Sequence, residues 1–136
     1  MKVVFQSVGI VALLAACMIL TRGQEQTVSA EESEKSVLRH VVMFKFKDDA
    51  TDEQISQVVE EFGKLPEKIS EIHAYEWGTN NSPEKHDKGH THCFLVSFKS
   101  EADRDAYLPH PAHQEFVKIL LPILDDVTVV DYWATN

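Results

Sequence analysis

Residues 38–47 set the first constraint on the fold. Leu38, His40, Val42, Phe44 and Phe46 alternate with Arg39, Val41, Met43, Lys45 and Lys47, the two-residue period of a β-strand rather than the 3.6-residue period of a helix. Apolar residues fall on both faces until the C-terminal end, so both faces need cover. Residues 90–99 repeat the layout, with His90, His92, Phe94, Val96 and Phe98 on one face and Thr91, Cys93, Leu95 and Ser97 on the other. Each strand carries an imidazole near its start.

The segments between and around these strands switch period. Thr51-Asp52-Glu53-Gln54 has the form of a capping box, and Ile55, Val58, Val59, Phe62 and Leu65 follow at helical spacing until Pro66, which is expected to close the helix. Ile72–Trp77 alternates again as a second strand, ended by Gly78 and the polar run Asn80-Asn81-Ser82-Pro83. The loop Thr79–Gly89 that follows reads as a solvated hairpin tip or a lid. Ser100-Glu101-Ala102-Asp103 starts a short helix by the same capping logic, and Val127–Trp133 alternates as a fourth strand. The order βαββαβ predicts an α+β domain with a four-stranded antiparallel sheet and helices on one face, strands one and three lying side by side and parallel at its centre. With aligned starts, that pairing brings His40 and His92 up at one end of one face.

Between the short helix and the last strand stands Tyr107-Leu108-Pro109-His110-Pro111-Ala112-His113. Pro111 suits the first turn of a helix, and Pro109 keeps Leu108 extended, so the segment is a stiff corner. Phe116, Val117 and Leu120 follow His113 by three, four and seven positions, which puts His113 on the stripe that faces the core. A common face gathers His40, His92, His113 and Tyr107 around one cavity, as expected of a small-molecule site; the alternative is a set of separate, hydrogen-bonded core histidines. In such a cavity His113 is the candidate base for a C–H proton beside a carbonyl, with Tyr107 or a protonated neighbouring imidazole the candidate donor to the developing enolate oxygen. His40, His92 and His113 also offer three nitrogen ligands to a metal, although no carboxylate or thiolate joins them in a local motif. No cofactor is called for.

Length and charge narrow the partners. The chain has 136 residues and a formal charge of −9; removing Lys2, Arg22 and Glu25 with the first 30 residues leaves 21 acidic against 11 basic residues, about −10. No element carries a basic stripe, which argues against nucleic acid as partner. Residues 1–30 read as a signal peptide: Met1-Lys2 precedes an apolar run, Val8–Leu20, too short for a comfortable membrane span. Val28-Ser29-Ala30 offers a site for ordinary cleavage to an exported, periplasmic or secreted protein. Leu14-Ala15-Ala16-Cys17 offers the alternative of a lipoprotein anchored to the membrane through Cys17. Residues 31–36 are a flexible tether, and 37–134 form one small domain. Cys93, alone in that domain, is expected as a buried apolar filler. The sheet face opposite the helices would leave Val41, Met43, Thr91, Leu95 and Val129 or Val130 bare, which predicts a homodimer closing two sheets face to face.

Leu38-Arg39-His40-Val41-Val42-Met43-Phe44-Lys45-Phe46-Lys47, Gly89-His90-Thr91-His92, the Tyr107–His113 segment with its His-Pro-Ala-His, and Val129-Val130-Asp131-Tyr132 together resemble the stress-responsive dimeric α/β-barrel (Dabb) family over residues 37–133. The resemblance implies a ferredoxin-like fold paired into a dimeric α/β barrel. In a polyketide-cyclase branch of that family the acid–base pair corresponds to Tyr107 and His113, with His40 and His92 in support. The resemblance therefore implies a stress-responsive barrel protein binding a small apolar or aromatic carbonyl ligand. The alternatives are a cyclase- or isomerase-like lyase and a histidine-ligated metal protein.

Overall fold

The computed structural model describes residues 36–135; the leader assigned to residues 1–30, and the tether except for Ser36, lie outside them. Eight elements follow in the order β1 (Leu38–Phe46), α1 (Asp52–Gly63), α2 (Leu65–Lys68), β2 (Ala74–Thr79), β3 (His92–Phe98), α3 (Glu101–Tyr107), α4 (Pro111–Leu120) and β4 (Leu124–Trp133). The capping box at Thr51 is formed in full, its hydroxyl accepting from Gln54 N and the Gln54 side chain accepting from Thr51 N. Pro66 corrects the sequence reading. It does not end the first helix, which stops at Gly63, but sits in the first turn of α2, where a missing N–H is tolerated.

The sheet order is β2-β3-β1-β4, and every neighbouring pair is antiparallel. This gives the ferredoxin-like βαββαβ architecture, with one correction: β1 and β3 are not parallel. The crossover through α1 makes β1 and β2 parallel, and β3 returns between them, so it opposes both. His40 therefore pairs with Val96, whereas His92 pairs with Phe44. The two histidines share a face but stand four residues apart along β1, roughly 13 Å at strand rise.

The alternation in β1 is realised residue by residue, with Leu38, His40, Val42, Phe44 and Phe46 buried and the intervening side chains only partly so. With Phe94, Val96 and Phe98 of β3 they form the sheet side of the core; Val58, Phe62, Leu65, Phe116 and Leu120 supply the helix side. Phe62 lies at the centre, its ring against Phe94, Phe116, Tyr75 and Phe44. On the helix-covered face of β4, however, Val127 and Val129 remain 42% and 51% exposed. The helices leave this edge open, and a pocket forms along it.

On the opposite sheet face Val41, Met43 and Leu95 are partly buried, while Val130 and Tyr132 are exposed. Cys93 belongs to this face and is exposed, not the buried filler expected: odd-numbered positions of β3 point away from the helices. Among the described residues no helix is long and apolar enough to cross a membrane.

Candidate functional site

The site is built at the corner between α3 and α4. Ser100 caps α3 by accepting from Asp103 N, and the helix places Arg104 and Tyr107 one turn apart. The chain then turns with His110 N donating to Tyr107 O. His110 becomes the N-cap of α4, its Nδ1 accepting from Ala112 N, and Pro111 takes the first helical position. The prolines act as expected only in part: Pro111 opens α4, but Leu108 is not extended before Pro109, being the helical C-cap of α3 (φ −57°, ψ −48°) because its N–H still closes onto Arg104 O. The corner delivers His113 in the first turn of α4.

Both imidazoles of the site are pinned at Nδ1. His113 Nδ1–H donates to the Leu108 carbonyl at 2.9 Å, and Gln114 donates to the same oxygen at 2.8 Å. A carbonyl only accepts, so the proton sits on Nδ1 and the lone pair of neutral His113 is on Nε2. His40, 6% exposed, donates from Nδ1 to Asp131 Oδ1 at 2.6 Å. Its neutral form likewise carries the lone pair on Nε2. The other oxygen of Asp131 accepts from Arg104 Nη1 at 3.1 Å, so a carboxylate on β4 joins a histidine on β1 to an arginine on α3.

Tyr107 lies between the two imidazoles. Its ring centroid is 4.4 Å from that of His113, 5.9 Å from that of His40 and 5.2 Å from that of Phe98. The side chain is fully buried, and among the described residues its hydroxyl finds no hydrogen-bond partner. Leaving such a group unpaired costs about 1–3 kcal/mol, so its place here calls for a purpose. Burial, with a smaller push from Tyr75, holds the phenol well above its ordinary ionisation range. At neutral pH it is a donor. Burial also lowers the pKa of His113, an effect reinforced by His40 and His110 and opposed by the hydrogen bond to Leu108.

These groups line a pocket of about 330 Å³ together with Val42, Phe44, Phe62, Phe116, Leu121, Val127 and Val129. Its walls are apolar and its polar groups are few and convergent, the usual composition of a small-molecule site. Of the four residues chosen from sequence, the structure brings His40, Tyr107 and His113 together. His92 is elsewhere. It stacks on Trp77, packs its edge against Phe46 and lines a separate recess of about 370 Å³ with Met43, Asp87 and His90. The three-histidine metal set is thus not assembled, and among the described residues no group of three potential ligands is placed to hold an ion. Asp131 and Arg104 were missed. The available signal for Asp131 was a carboxylate in register with Val127 and Val129 on an otherwise apolar strand face.

The fold and the site together define a ferredoxin-like α+β domain with a tyrosine–histidine pocket on one sheet edge. Residues 38–134 match the model of the Stress responsive A/B Barrel Domain, and the chain belongs to that family. It is 36% identical over 105 residues to the stress-response A/B barrel domain-containing protein HS1 of Arabidopsis thaliana, covering 77% of this chain and 96% of the relative. It is 26% identical over 95 residues to the olivetolic acid cyclase of Cannabis sativa, covering 70% and 94%. Among solved structures it is similar to a hydroxynitrile lyase from Passiflora edulis, with a TM-score of 0.70 at 28% identity over 74% of this chain and 95% of that one. A dimeric ferredoxin-like protein from Bacteroides fragilis gives 0.60 at 30% identity, covering 72% and 96%.

The lowered pKa of His113 has a signed consequence for stability. An unfolded chain takes up a proton at His113 near pH 6.5, whereas the folded chain resists it to lower pH, so stability falls as pH drops through and below that value. His92, also lowered by burial, adds a slope of the same sign. His113→Gln is expected to remove its share: urea unfolding at about pH 7 and about pH 5 should show a smaller loss in the variant than in the parent. Equal losses would show that His113 is not held neutral.

Proposed function

We propose that this protein is a homodimer that binds a small apolar or aromatic carbonyl compound in the Tyr107–His113 pocket, and that these residues act on it as an acid–base pair. One observation carries the reading. A buried phenol with no hydrogen-bond partner among the described residues lies in ring contact with two imidazoles, each engaged at Nδ1. Neutral His113 takes a proton from the carbon beside the carbonyl through Nε2. The electron pair moves onto the carbonyl oxygen, and Tyr107 donates its hydroxyl hydrogen bond to the resulting enolate, at contacts of roughly 3 Å. The proton now on His113 Nε2 is returned to carbon or to a leaving group, and His40, its ring held by Asp131, lines the pocket beside Tyr107. The two shifts at the centre suit these roles, since burial keeps His113 unprotonated and Tyr107 protonated. A cyclase and a hydroxynitrile lyase among the similar proteins are consistent with carbonyl chemistry on this scaffold.

A second reading, ligand binding without turnover, shares the pocket and is favoured by its largely apolar wall. A thermal-shift screen of aromatic and polyketide-like carbonyl compounds, followed by product analysis, separates the two. A binding compound is expected to raise the midpoint by mass action, and conversion of that compound is expected to vanish in His113→Ala. Binding with no conversion in the parent protein selects the second reading. A screen in which nothing binds removes both.

The homodimer is supported by the partly buried apolar residues of the open sheet face and by the dimeric Bacteroides neighbour. Met43→Glu puts a charge on that face and is expected to give a monomer in sedimentation velocity; an unchanged sedimentation coefficient assigns the interface elsewhere. Export is proposed from the leader alone. N-terminal sequencing of protein recovered outside the cytoplasm should start at Glu31, whereas a start at a lipidated Cys17 selects the anchored form.

A further inference from the structure

A second buried hydroxyl belongs to the same row of side chains. Across the sheet, Tyr75 pairs with Val96, Val96 with His40, and His40 with Asp131. All four therefore stand in one line on the helix-covered face, from β2 to β4. With strands about 4.8 Å apart, Tyr75 starts about 10 Å from His40 with only a valine between them, a gap that two long side chains can close. The Tyr75 ring packs at 5.4 Å on Phe62, a wall of the pocket. Tyr107 covers the row from α3, its ring against His40 and Phe98.

Among the described side chains, the buried polar atoms without a hydrogen-bond partner are the hydroxyls of Tyr75 and Tyr107. The two do not bond each other. They are nevertheless near enough for a charge on Tyr75 to oppose ionisation of Tyr107. Burial pushes the Tyr75 phenol up to about 12, so it too is a donor at neutral pH. A phenylalanine at position 75 would fill the same space and spare the protein a desolvated hydroxyl. Tyr107 lines the pocket and Tyr75 packs behind its Phe62 wall, so the two unpaired O–H groups, near enough to feel one another's charge, suit a single acceptor atom that reaches between them.

We propose that Tyr75 and Tyr107 form a paired-hydroxyl subsite that binds one ligand oxygen, the carbonyl oxygen that carries negative charge in the enolate. This rests on the carbonyl reading of the pocket and adds to it a second, ligand-contacting donor. Two donors favour the enolate over the ketone because hydrogen bonds to a charged oxygen are the stronger ones. They also restrict the ligand to compounds that carry this oxygen at the end that enters first.

The test uses 4-nitrophenol, whose bound phenolate is read by its absorbance, with 4-nitrotoluene as a shape-matched compound lacking the oxygen. The parent protein should bind the phenolate. Tyr75→Phe and Tyr107→Phe should each weaken it about tenfold, with less than the product of the two effects in the double variant and little change for 4-nitrotoluene. Tyr75→Phe should also raise the thermal midpoint, since it removes an unpaired buried hydroxyl. If Tyr107→Phe loses the phenolate and Tyr75→Phe keeps it, the paired subsite is overturned while the carbonyl reading stands. If the parent binds neither probe, both fall. A lower midpoint in Tyr75→Phe shows the hydroxyl engaged in holding the fold, which also overturns the proposal.

Discussion

One carboxylate ties the site together. Asp131 accepts from His40 on β1 with one oxygen and from Arg104 on α3 with the other, so a single side chain on an edge strand fixes the relation of three elements. The histidine needs it: an imidazole only 6% exposed in an apolar row has to be hydrogen-bonded. The consequence for chemistry is a defined tautomer. With Nδ1–H committed to Asp131, the neutral form of His40 carries its lone pair on Nε2, and the Leu108 carbonyl fixes the same tautomer for His113. Arg104 lies one turn before Tyr107 on α3, so the ion pair that steadies Asp131 also anchors the helix that carries the phenol. Charge-assisted bonds of this kind are stronger than neutral ones and more exacting in geometry.

The fold leaves the pocket open where this network lies. α1 and α4 cover β1 and β3, and the ring cluster around Phe62 fills that side. β4 stands at the edge with Val127 and Val129 about half exposed on the inner face, and Leu121 at the end of α4 is 58% exposed. The polar end of the pocket is therefore rigid, and its mouth is apolar. A ligand entering over β4 would bury these residues and meet the imidazoles and the phenol at the inner end. Tyr107 lies at that end, and among the described residues its hydroxyl has no hydrogen-bond partner. Unsatisfied groups are uncommon in cores, which is why this one directs attention to the pocket as the candidate site.

Much of this was legible in the residues alone. The alternation in β1 and β3 and the Thr51 and Ser100 caps define elements with local rules, and those elements formed. The opening of α4 at Pro111 and the placement of His113 over Phe116 and Leu120 were also local, and so was the grouping of Tyr107 with His113. What failed depended on the direction of pairing between distant strands. Treating β1 and β3 as parallel aligned their starts and put His92 beside His40; antiparallel pairing sends His92 to Phe44 instead. Pro66 was ambiguous because the same residue ends one helix and opens the next. Asp131 is an ordinary strand residue in the sequence and joins the pocket only through the cross-sheet row it shares with His40; Tyr75 stands in the same row across Val96.

In the proposed mechanism His113 removes a proton from carbon while Tyr107 donates a hydrogen bond to the oxygen on which the charge develops. Proton–deuteron exchange at the carbon beside a carbonyl measures that step without a known overall reaction. An aromatic 1,3-diketone would be held in deuterated buffer with catalytic amounts of the protein and followed by NMR. The account predicts exchange faster than the buffer rate, reduced to that rate in His113→Ala and slowed by about 10²–10⁴-fold, or to the buffer rate, when Tyr107 is replaced by Phe. Exchange in the His113→Ala variant as fast as in the parent, or no acceleration by a protein shown to bind the diketone, would contradict it.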